Sequence, residues 1–224
     1  MSLSLRPALW VGLLLAPLAQ AGEGSTTPYA VLYQVLEPAQ QIAAYDHLRA
    51  VQRIDSRLPD VSPAQIRLVV KARRGDIAVP IGADGRLDFP LDAALKAENP
   101  AVQSNQPKGS LSLTVTLELK LPAGDRVRWQ ELATALEQAR RVLGEQAQAH
   151  GLAAPAVTGA EFHFPAGSEA RVTLSGKGER LLLADADGRV IVMLDETTRK
   201  EQPTLLLGAR PLAVVPHLEA SAAP

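Results

Sequence analysis

One pattern occurs twice in this chain, 103 residues apart. Ala83-Asp84-Gly85-Arg86, Leu91-Asp92, Glu98 and Pro100 return as Ala186-Asp187-Gly188-Arg189, Leu194-Asp195, Glu201 and Pro203, identical at eight of eighteen aligned positions without a gap. Average residue usage gives roughly one identity over such a stretch, so the organisation expected is two copies of one module. A shift of 100 aligns Tyr29 with Trp129, Leu32 with Leu132 and Leu36-Glu37 with Leu136-Glu137, which extends the repeat to a preceding helix. We therefore expect module 1 over residues 22–122 and module 2 over residues 123–218, followed by a disordered tail at 219–224.

Periodicity fills in each module. Tyr29, Leu32, Tyr33 and Leu36 share a helical face until Pro38 interrupts it, and Ile42, Tyr45, Leu48, Val51, Ile54 and Leu58 continue at helical steps, so residues 39–58 read as a second helix. Residues 22–28, small and polar, read as a disordered lead-in. Two strands over 66–72 and 76–81, joined by Arg73-Arg74-Gly75, form a hairpin. Residues 110–119 alternate as a strand with its Leu and Val inward and its Ser, Thr and Glu wet. Residues 127–151 form a longer amphipathic helix, and strands follow near 161–164, 170–174, 180–184, 189–194, 204–207 and 212–215. Strands at this spacing leave no room for βαβ crossovers. The fold class expected is α+β: two tandem modules, each an N-terminal helix on an antiparallel sheet or small β-sandwich.

Residues 1–21 carry Arg6, a short apolar run and Ala19-Gln20-Ala21, the pattern of a secretory signal peptide cleaved after Ala21. The chain has no cysteine, which excludes a lipid anchor on a thioether, disulfides, thiol catalysis and cysteine metal sites. No later apolar run reaches the roughly 20 residues of a membrane helix, so a soluble periplasmic protein is expected. Without the leader, 22 Lys and Arg face 24 Asp and Glu, a balance that argues against nucleic-acid binding.

The chemistry-bearing residues form no catalytic signature. Asp185-Ala186-Asp187-Gly188 opens like a calcium loop, but Arg189 and Ile191 occupy ligand positions, and Asp-Gly between apolar strands is a hairpin turn. The four histidines, His47, His150, His163 and His217, have no paired metal spacing. Neither a Gly-x-Ser-x-Gly nucleophile nor a phosphate loop is present, so no metal and no cofactor is expected. The residues used in both copies, Asp84, Arg86, Glu98, Asp187, Arg189 and Glu201, are the candidate ligand or partner surface; the competing reading is a set of salt bridges inside each module. Lys96-Ala97-Glu98-Asn99-Pro100, the Asn105-Gln106-Pro107-Lys108-Gly109-Ser110 sequel and the opening at 29–36 make residues 29–119 resemble domains of unknown function in secreted proteobacterial proteins. That resemblance implies a Gram-negative periplasmic setting and transfers no site residue. The function expected is a non-enzymatic protein-binding or envelope-accessory module with an envelope protein as partner. The alternatives are an envelope hydrolase using Asp84, Asp92, Asp187 or Asp195, and a small-ligand binder using a cleft between the modules.

Overall fold

A computed structural model describes residues 24–219; the leader, its cleavage point after Ala21 and the tail beyond Glu219 lie outside the described residues. In chain order the elements are β1 (Ser25–Pro28), α1 (Tyr29–Leu36), α2 (Pro38–Ala43), β2 (Leu48–Ser56), β3 (Leu68–Ala72), β4 (Gly75–Val79), α3 (Ala93–Glu98), β5 (Ala101–Ser104) and β6 (Leu111–Leu119). They continue as β7 (Arg126–Val127), α4 (Trp129–Ala149), β8 (Ala156–His163), β9 (Arg171–Ser175), β10 (Glu179–Leu183), β11 (Arg189–Met193), α5 (Glu196–Glu201), β12 (Thr204–Leu207) and β13 (Ala213–Glu219). The architecture is mixed α+β with antiparallel sheets. No helix among the described residues is long and apolar enough to cross a membrane.

The chain divides into two units. The N-terminal unit holds the described residues up to Gln41 together with Ala50–Thr116; the C-terminal unit holds Ile42–Arg49 and the described residues from Leu117 onward, so the division falls inside both β2 and β6. In the N-terminal unit the sheet order is β1-β5-β3-β4. Its core gathers Tyr29, Tyr33 and Leu36 from α1 with Ile54, Leu68, Val70, Leu87, Phe89 and Val102. The Tyr29 and Phe89 rings stack 5.2 Å apart. The Tyr29 hydroxyl donates to Pro90 O and accepts the Asp92 N–H at 3.0 Å, which ties the loop before α3 to the helix. α1 ends at Leu36 because Pro38 has no N–H to continue it and disfavours helical backbone at the residue before.

Two sheets, β10-β9-β12-β7 and β11-β8-β13, make up the C-terminal unit with α4. Ala160 and Phe162 of β8, Val190 and Val192 of β11, and Val214 of β13 occupy the buried face, and α4 packs on β8. α4 turns Leu132, Ala135, Leu136, Ala139, Val142 and Leu143 inward, the spacing of a single helical stripe. At its start Glu131 accepts the Arg128 backbone N–H at 2.9 Å, satisfying a donor that the first turn leaves open.

Four expectations need correction. Residues 25–28 are not a free lead-in: β1 pairs antiparallel with β5, Ser25 opposite Ser104 and Pro28 opposite Ala101. Residues 39–58 are not one helix: α2 stops at Ala43 and β2 follows. Leu48, Val51 and Ile54 are all buried at steps of three. In a strand such steps alternate faces, so β2 is buried on both sides and imitates a helical period. Glu118 is not wet: its side chain is 2 % exposed and paired with Arg49, whose Nε donates at 3.2 Å. Finally, α5 has a full helical turn where only strands and connections were expected.

Candidate functional site

Asp84, Arg86, Asp187 and Arg189 each serve their own turn. Asp84 accepts the Arg86 backbone N–H at 3.1 Å and holds the Arg86 Nε at 3.1 Å. Asp185 accepts the N–H groups of Asp187 and Arg189 at 3.0 and 2.8 Å, while the Arg189 guanidinium lies 2.9 Å from Asp187 and 3.0 Å from Asp185. The Arg189 backbone N–H, more than any other neighbour, holds the Asp185 carboxyl below its usual range. A calcium ion would find this oxygen cluster filled by its own guanidinium. Glu98, at the end of α3, accepts the Arg73 N–H at 2.6 Å. Glu201, at the end of α5, stands beside Gly176.

Carboxylates expected as hydrolytic candidates are engaged in the same way. Asp92 caps α3, accepting the Ala94 N–H at 2.6 Å. Asp195 caps α5, accepting the Thr198 N–H at 2.7 Å, and that bond is the largest influence holding its carboxyl low. Residues at both helix ends are left-handed, Asn99 at φ 48° and Gln202 at φ 46°, and both precede proline. Asp84, Asp92, Asp185, Asp187 and Asp195 are thus engaged in their own turns and helix starts.

A polar cluster that the sequence did not indicate lies on the outward face of β11-β8-β13. Glu161 of β8 has the His163 Nε2 at 2.9 Å and the His217 Nδ1, from β13, at 3.5 Å. Neither ring nitrogen completes a hydrogen bond among the described residues. The polar contact with His163 comes first among the causes that hold Glu161 below the usual carboxylate range, acting against half-burial. Residues 161 and 163 share a face by strand alternation, but His217 arrives only through pairing, opposite Gly159. Among the described residues no group of three or more His, Cys, Asp or Glu could hold a metal ion.

A concave feature lies wholly within the N-terminal unit. A cleft of about 110 Å³ opens between α1, β1 and β6, with room for several water-sized groups. Ile54, Leu68 and Val102 line it, each 5 % exposed or less. Val31, Leu32 and Val35 of α1 and Leu111 and Leu113 of β6 also line it. α1 has apolar residues on two sides: Tyr29, Tyr33 and Leu36 enter the core, leaving Val31 and Val35 for the cleft. Ser25, Thr27, Ser104 and Ser112 add hydroxyls, and Arg57 and Lys108 are the cations of the lining, which contains no Asp or Glu. Aliphatic walls, scattered hydroxyls and two cations suit binding; no nucleophile is paired with a base there. None of the six candidate residues borders this cleft. Compared with protein-family models, curated proteins and solved structures, the chain matches none.

Proposed function

We propose that this chain is an exported, non-enzymatic binding protein of the bacterial envelope, built from two copies of one α+β unit, whose N-terminal copy receives an apolar ligand. The aliphatic cleft carries the reading. Val31, Leu32 and Val35 with Leu111 and Leu113 give it a half-buried apolar lining over a floor of Ile54, Leu68 and Val102, and apolar surface of this kind gains about 25 cal/mol per Å² when a ligand covers it. The leader pattern at residues 1–21 supports export.

Two copies of one unit are supported by matching details at one offset. Gly82, Gly85 and Arg86 close their turn with Gly82 N to Arg86 O at 2.8 Å and Gly85 N to Gly82 O at 2.9 Å; Asp185, Gly188 and Arg189 do so at 3.0 and 2.9 Å. The β1-β5-β3-β4 order corresponds to β7-β12-β9-β10, and β3 and β9 differ by 103 positions at both ends.

The test uses a neutral environment-sensitive dye, N-phenylnaphthylamine. Its fluorescence rises with the native chain, and Leu113→Asp or Val35→Asp abolishes the rise while circular dichroism stays native. A rise unaffected by either variant overturns the cleft as the binding site. A protein partner is favoured by a different observation: edge strand β10 presents Leu181 and Leu183, 55 % and 67 % exposed, beside a backbone edge that no strand among the described residues pairs, the arrangement to which a partner strand adds. A photo-reactive residue at Leu181 crosslinks that partner in cells; the same residue at Gln103, outside β10, does not.

A further inference from the structure

We infer that the ligand of the N-terminal cleft is a medium-chain alkyl carboxylate, its chain against Val31, Val35, Leu111 and Leu113 and its carboxylate at Arg57 and Lys108. The inference rests on the proposed reading of this cleft as a binding site and adds the chemistry of what binds. The walls are aliphatic, without an aromatic ring or a carboxylate, which suits a flexible methylene chain. An apolar peptide segment is disfavoured because those of its backbone N–H and C=O groups that face the aliphatic side chains of the lining would go unpaired, at a cost of roughly 1–3 kcal/mol each.

Charge selects the head. Arg57 and Lys108 border the cleft, and neither forms an ion pair among the described residues. Ser104 and Ser112 stand in the same lining and supply hydroxyl donors to a carboxylate. A cationic head would meet like charge there, and a neutral alcohol would leave both cations as they are.

The experiment is displacement of N-phenylnaphthylamine from the full chain by decanoate, decanol and decyltrimethylammonium, with octanoate as the shorter acid. Decanoate displaces the dye at about tenfold lower concentration than decanol, decyltrimethylammonium is weakest, and octanoate is weaker than decanoate. Arg57→Gln with Lys108→Gln removes the advantage of decanoate over decanol and leaves decanol unchanged. Equal displacement by all three heads, or a decanoate advantage surviving the double substitution, overturns the carboxylate assignment while the apolar cleft stands. Failure of the native chain to bind the dye overturns the cleft reading itself. Displacement by an apolar peptide at lower concentration than decanoate overturns the choice of an alkyl chain.

Discussion

A Cβ at Gly188 would lie 2.4 Å from Phe164 O and 2.7 Å from Pro165 O, in backbone already at φ 78°. At Gly85, φ 79°, it would lie 2.7 Å from Ile54 O. Both Asp-Gly turns press against the strand behind them, so Gly85→Ala and Gly188→Ala each cost more than about 2 kcal/mol in urea unfolding. Gly124→Ala, at φ 124° with nothing near it, costs about 1 kcal/mol. Glu161 makes a second residue-scale prediction. Its carboxyl is held low in the folded chain by His163, so the stabilisation is present above its unfolded pKa of about 4.3 and is lost as pH falls through the lower folded value. The native chain exceeds Glu161→Gln in stability by about 1 kcal/mol at neutral pH, and unfolding curves converge in acid. The sequence does not reveal this cluster, because His217 reaches Glu161 only through β13 pairing. Glu118 was misread for a related reason: alternation marks a charged residue as wet unless its distant partner is known.

At the scale of elements, caps decide where the short helices begin and end. Asp195→Ala removes the bond to the Thr198 N–H and lowers stability by about 1 kcal/mol. Gln202→Gly relieves a left-handed backbone at φ 46° and raises stability by about 0.5 kcal/mol; both are read from thermal melts. Helix α4, the β3–β4 hairpin and β9 to β12 were legible because each is bounded by turn residues, and α4, β3, β9 and β11 also bury one face. β2 was not, since a strand buried on both sides has no period of two. β1 was not, since Ser25 to Thr27 are ordered by hydrogen bonding to β5 and carry no apolar pattern of their own.

For the whole molecule, local sequence reading reached the α+β class and missed the cleft. Its walls come from α1, from β2 and β3, and from residues 102–113, so no contiguous motif announces it. Ligand binding to one unit protects that unit. A carboxylate at one hundred times its Kd adds about 2.7 kcal/mol, and hydrogen exchange slows at amides of β1, α1 and β5, with α4 and β8 unchanged. Slowing throughout α4 to the same degree counts against a site confined to the N-terminal unit.

The division within β2 and β6 bears on the order in which the chain becomes available. Arg49 belongs to the C-terminal unit, yet it precedes its partner Glu118 by 69 positions, and most of the N-terminal unit's sequence lies between them. At synthesis rates of about 5–20 residues per second, Arg49 waits roughly 3–14 s for the carboxylate it pairs with. An expressed fragment beginning after residue 116 lacks Ile42–Arg49 of its own unit, never receives that guanidinium, and is less stable than the same residues in the full chain. The C-terminal unit is thus finished after the N-terminal one, although its first residues are made before most of that unit.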